Sequence, residues 1–373
     1  MTYHQSPKPR HSTAGWRGGL GGLCAVCAAF PVLAAAANST ADVRTQATAA
    51  PARPSLKMYT TRHYAADQNL ISAFTKATGV VVQTVTIKDA SALVARVIAE
   101  KDRPQADLVL TTDTGNLLRL AQAGVFQRMD STVVPAVVPQ DFRDSSNDLW
   151  TGVAMRVRVI AYNKATIKPE QISTIESLAS PSLKGKVLVR PSHHVYNQSL
   201  AATLLAAAGP QGLRHWAQGV TANLARKPQG GDTDQLKAIA AGEGDVAIVN
   251  SYYVARLMDS QDPKDRAIAD KIGIVFPNQG PGERGAHVNV SGIGIIKGTE
   301  AVTAARSFID YLVSPHAQQV FASASKEYPV REDVPLDKTL RSWERPQLDR
   351  DGLRSIARFT PEATRILDEV GWR

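Results

Sequence analysis

The stretch Asp245-Val246-Ala247-Ile248-Val249-Asn250-Ser251-Tyr252-Tyr253-Val254-Ala255-Arg256 decides the fold. Its first half is an uninterrupted apolar run, the pattern of a short strand buried on both faces. The two adjacent tyrosines fall where that strand hands over to a helix. A pair of phenols at a strand-to-helix turn points into a crevice rather than into a core.

Upstream, the same alternation repeats. Leu56 to Thr60 predicts a strand, with Arg62-His63-Tyr64 in the loop after it. Leu70 to Thr78 has helical spacing and stops at Gly79. Val80 to Ile87, Ala90 to Lys101, Ala106 to Thr111 and Asn116 to Ala123 continue as strand, helix, strand and helix. This βαβαβ order implies a parallel sheet with helices on both faces. Its ligands would bind beyond the strand C-terminal ends, where Arg62-His63-Tyr64 and Thr112-Asp113 lie.

Trp150 to Asn163 is long for one strand and is expected to cross between domains. A second α/β pattern follows. Gly185 to Arg190 is a strand, Ser192 to Tyr196 a loop, and Asn197 to Ala208 a helix closed by Gly209-Pro210. Helices over Gly212 to Leu224 and Asp232 to Ala241 precede the Asp245 to Asn250 strand. Lys271 to Phe276 is another strand, and His287 to Ile296 returns the chain to the first domain. The fold class expected is α/β, a two-lobe binding protein with lobes joined by crossing hinge strands. The first lobe takes residues 55–154 plus 279–329, the second 155–278 plus 330–373. Such a hinged clam catches a small solute between its halves.

A chain of 373 residues exceeds one ordinary core, which agrees with two domains. At 43% hydrophobic and 21% charged it has the composition of a soluble globular protein. The net charge of +9 is not gathered into a basic stripe with interleaved aromatics, which excludes nucleic-acid binding. The N-terminus carries Lys8, Arg10 and Arg17 before an apolar run, Gly18 to Ala37, that ends in four alanines. That pattern predicts an export signal peptide over 1–37 and a periplasmic location. A disordered leader of Ala, Thr, Pro and Ser over 38–54 follows. Cys24 and Cys27 both fall inside the signal, so the mature chain would hold no disulfide, thiolate metal site or catalytic cysteine.

Four tyrosines and a histidine stand at lobe-facing turns: His63, Tyr64, Tyr196, Tyr252 and Tyr253. The chain has only nine tyrosines, and core packing alone would scatter them over element faces. A phenolate is a hard anionic oxygen donor that suits Fe(III) best among biological metals. Because a free phenol has a pKa near 10, the metal must displace protons and binding weakens as pH falls. Three or four phenolates with Fe(III) leave the site neutral or at −1. Arg156 on the crossing strand is placed to balance that charge or to hold an accessory anion such as carbonate.

The chain resembles the periplasmic ferric-iron-binding proteins of ABC importers. The matching pieces, in family order over about residues 55–335, are Arg62-His63-Tyr64, Val195-Tyr196-Asn197-Gln198-Ser199-Leu200, Tyr252-Tyr253-Val254-Ala255-Arg256-Leu257, Gly285-Ala286-His287-Val288-Asn289-Val290-Ser291-Gly292 and Glu327-Tyr328-Pro329-Val330. The resemblance implies Tyr196, Tyr252 and Tyr253 as tyrosinates of the second lobe, closed over by Tyr64 and His63. It resembles the subclass with one His and four Tyr, with Arg156 behind the site. It also implies a monomer that delivers iron to an ABC permease in the inner membrane.

Other readings compete at several positions. The tyrosines alone would also suit an aromatic box for an organic cation or polyamine, which calls for acidic residues nearby. A receptor that senses iron without transporting it is a third possibility. His193 and His194 are expected in a solvated loop, and His287 in a structural hydrogen bond. Asp113 is expected to cap the helix after it, and Arg158 to face solvent. No H-E-x-x-H, G-x-S-x-G or P-loop motif supports an enzyme.

Overall fold

The computed structural model describes residues 54–343 and 345–373. The expected signal peptide and, apart from Pro54, the expected leader lie outside these residues, as do Cys24 and Cys27.

The first α/β run is β1 (Ser55–Thr60), α1 (Ala65–Thr78), β2 (Val81–Thr86), α2 (Ala90–Ala99), β3 (Leu108–Thr111) and α3 (Thr114–Gln122). Gly79 ends α1 in the left-handed region at φ 77°, where a residue without Cβ is unstrained. A two-residue β4 (Phe126–Gln127) and a short helix α4 (Val133–Val137) lead to β5 (Trp150–Asn163). Then come β6 (Val187–Leu188), α5 (Val195–Ala222), α6 (Asp232–Ala241), β7 (Val246–Asn250), α7 (Ser251–Met258), α8 (Pro263–Lys271) and β8 (Ile272–Val275). The chain closes with β9 (Val288–Ile296), α9 (Val302–Leu312), α10 (Pro315–Val320), α11 (Lys338–Ser342) and α12 (Arg350–Glu369). The two helices expected on either side of Gly209-Pro210 are both present within α5, parted where Gly209 leaves helical geometry at φ 69° and ψ 176°.

The sheet order is β2-β1-β3-β9-β5-β7-β6, with β4 on β9 and β8 on β5. β1 pairs in parallel with β2 and β3, as the alternation predicted. The sheet as a whole is mixed, because the returning β9 runs antiparallel to both β3 and β5. The apolar pattern of a strand does not encode its direction, so this was not readable beforehand. β5 pairs with β9 through Val157 and with β7 from Arg158 onward. One strand thus belongs to both α/β lobes, and its first twelve residues are all buried.

Three apolar clusters follow from this. The first packs β1, β3, the Trp150–Val157 half of β5 and β9 against α1, α2, α3 and α9. The second joins Ile160, β7 and the length of α5. The third lies on the opposite face of β5, where Val159 and Ala161 meet α6 and α7. α12 contributes Leu353 and Ile356 to the first cluster and Ala363, Ile366 and Leu367 to the second.

Candidate metal centre

Each candidate tyrosine sits at the N-terminal end of a helix. Tyr64 is the N-cap of α1, Tyr196 the second residue of α5, and Tyr252 and Tyr253 lie in the first turn of α7. Three of the four phenol oxygens meet. Tyr64 Oη and Tyr196 Oη each lie 3.3 Å from Tyr252 Oη. The Tyr253 ring stacks on Tyr252 with centroids 4.2 Å apart. Tyr252 is fully buried in this arrangement, because the segment bearing Tyr64 covers the crevice its turn was expected to face. His63 is exposed beside this group, its ring 5.3 Å from that of Tyr64.

Burial disfavours phenolates here. It pushes Tyr252 well above the ordinary phenol value, and the neighbouring phenols Tyr196, Tyr253 and Tyr64 add to the effect. Tyr64 and Tyr253 are raised for the same first reason. Tyr64, Tyr252 and Tyr253 are therefore neutral near pH 7, and Tyr252 shares hydrogen bonds with Tyr64 and Tyr196.

The surroundings are cationic. Arg156 is buried, with its guanidinium carbon 5.4 Å from the Tyr196 ring centre. None of its three nitrogens has a hydrogen-bond partner among the described residues. A buried unpaired guanidinium is costly unless something anionic comes to it. Arg158 does not face solvent: it is buried and bonds Asp232 and Asn197 at 3.1 Å each. It shares a side of β5 with Arg156 by the two-residue period, and that side faces α5 rather than water. Arg256 lies 4.4 Å from the Tyr64 ring centre and 4.7 Å from that of Tyr252, and donates to Ser325 O at 3.1 Å. Buried Arg62 grips Asp67 and Glu327 at 2.8 Å each, which fixes the loop that presents His63 and Tyr64.

Among the histidines, His193 is exposed as expected. His194 is instead the N-cap of α5, its Nδ1 accepting from Tyr196 N at 3.2 Å. Burial, aided by Arg190 and Arg158, pushes it down to about 2. His287 is buried and lies 3.3 Å from Thr203 Oγ1, the structural contact expected of it. Asp113 stands at the N-cap position of α3 but its side chain makes no capping bond there; its Oδ2 instead accepts from Ser199 and Asn289 at 2.5 Å each.

Sequence reasoning missed Arg190, Arg256 and Asp232. The spacing of Arg256 four residues after Tyr252 on one helix was the available signal for the second. Nothing local flags the other two. A cavity of about 830 Å³ opens from the site, lined by His63, Tyr64, Tyr196 and Tyr253 and by Lys88 and Arg119. Among the described residues no three His, Cys, Asp or Glu side chains are grouped to hold a metal, so phenols are the donors on offer.

Residues 103–354 match the family model described as bacterial extracellular solute-binding protein. The chain is 42% identical to iron uptake protein A2 of Synechocystis over 320 residues, 85% of this chain and 90% of that one. Its fold superposes on a Trichodesmium protein solved in complex with iron and citrate at a TM-score of 0.79, with 40% identity, covering 86% of this chain and all of that one. The ferric binding protein of Campylobacter jejuni gives the same TM-score at 34% identity, over 85% of this chain and 100% of that one. With this fold, this cleft and these similarities, the chain belongs to the family of bacterial extracellular solute-binding proteins.

Proposed function

We propose that the protein captures Fe(III) between its lobes in the periplasm and delivers it, as a monomer, to an ABC permease of the inner membrane. The observation that carries this reading is the meeting of the Tyr64, Tyr196 and Tyr252 oxygens from three distant segments. Tyr64, Tyr196, Tyr252 and Tyr253 serve as tyrosinate ligands, and His63 closes the sphere from the rim. A trivalent ion displaces the phenol protons that burial otherwise holds in place. Arg156 balances the resulting negative charge directly or by holding a small anion such as carbonate, which would meet its unsatisfied nitrogens. The lobes that close are residues 55–154 with 279–329 and residues 155–278 with 330–373.

Two observations support cargo binding over catalysis or an aromatic box. The similar proteins are named for iron uptake and ferric binding. An organic cation in the same place would meet the guanidiniums of Arg156 and Arg256 rather than carboxylates.

The test is metal analysis with a visible spectrum on protein purified without chelator. The expected result is one iron per chain with a tyrosinate-to-iron charge-transfer band, most of it lost in Tyr252→Phe and in Tyr196→Phe. Unchanged colour and affinity in both variants overturn the reading.

A further inference from the structure

We propose that Asp232 is the positioning residue of the site, and that with Arg190 and Arg158 it sets the charge beneath Tyr196. This rests on the ferric reading above. Asp232 is the first residue of α6 and is buried at 1% exposure, and its carboxylate has three partners. Oδ1 takes Arg190 Nη1 at 3.0 Å, while Oδ2 takes Arg158 Nη1 at 3.1 Å and Asn250 N at 2.7 Å. These partners reach every second-lobe tyrosine. Asn250 is the N-cap of α7, so its amide fixes the turn that presents Tyr252 and Tyr253. Arg190 O accepts from Asn197 Nδ2 at 2.8 Å, and Arg158 holds Asn197 Oδ1 at 3.1 Å, which anchors the residue after Tyr196.

The same carboxylate arranges charge. The guanidinium carbons of Arg190, Arg156 and Arg158 lie 5.1, 5.4 and 5.8 Å from the Tyr196 ring centre. Asp232 neutralises one of these three cations and holds two in place. An excess of positive charge is left under the one ring, in a poorly screened interior. That excess favours an anionic ferric–tyrosinate complex and disfavours a bare cation arriving without phenolates. Asp232 acts through its neighbours, in the way that groups behind metal ligands orient them and tune affinity.

The experiment compares ferric-loaded wild type, Arg190→Gln, Arg190→Lys and Asp232→Asn as full chains. It reads the charge-transfer band and the rate of iron loss to excess EDTA. In Arg190→Gln and Asp232→Asn the band is expected to shift and iron loss to quicken by about tenfold or more. Arg190→Lys, which keeps the charge, is expected to restore most of the wild-type rate. If Asp232→Asn fails to fold, the Arg190 pair decides. A band and a rate unchanged in Arg190→Gln overturn the proposal, as does Arg190→Lys as impaired as Arg190→Gln. A wild type that binds iron without the band sinks the ferric–tyrosinate reading itself, and this proposal with it.

Discussion

Ser199 Oγ donates to Asp113 Oδ2 at 2.5 Å, tying α5 to the head of α3. Leu200, beside Ser199, packs in the second apolar cluster, and Leu117, four residues past Asp113, packs in the first. The bond therefore links elements of the two apolar clusters across the cleft. Burial raises the Asp113 carboxyl above its ordinary value, while Ser199, Arg156 and Asn289 pull it back.

Ser199→Ala should loosen this closure. A hydrogen bond to a charged buried group contributes about 1.5–3 kcal/mol. The variant is expected to show a larger radius of gyration by small-angle X-ray scattering in the metal-free state, and faster iron loss to a chelator. Scattering and loss rates matching wild type would show that the bond has no part in holding the lobes together.

Iron binding should release protons. With Tyr64, Tyr252 and Tyr253 raised above the ordinary phenol value, each phenol enters the reaction protonated. Calorimetry in buffers of different ionisation enthalpy should count about three protons per Fe(III) from these phenols, and affinity should fall as pH falls. For the metal-free protein the sign reverses. A phenol whose folded pKa lies above its unfolded value stabilises the fold up to about pH 10, and that stability is lost as pH rises further. A melting temperature that rises between pH 9 and 11 would contradict this.

Arg156→Met separates function from stability. The Arg156 nitrogens bond to nothing among the described residues, so the guanidinium is retained at a desolvation cost. The metal-free variant is expected to melt no lower than wild type, while its ferric affinity drops. A large loss of melting temperature with affinity intact would assign Arg156 to the scaffold.

Much of this architecture was legible because the strand and helix periods differ and because the tyrosines fall where one gives way to the other. β5 announced itself by fourteen residues without a turn signal, and the kink of α5 by Gly209-Pro210. Arg158 was misplaced because alternation tells which residues share a side of a strand but not what covers it. Asp232 was invisible for a different reason. Its partners Arg158, Arg190 and Asn250 are far away along the chain, and no local pattern links a helix's first residue to them.

α12 sets a limit on how this protein can be divided. Its early turns bring Leu353 and Ile356 to one apolar cluster, and its later turns bring Ala363, Ile366 and Leu367 to another. A fragment ending within β5 would leave part of the first cluster uncovered, and one beginning there would carry half a helix with its oily side bare. Attempts to express either half alone should yield aggregates, however well each looks like a self-sufficient domain on paper.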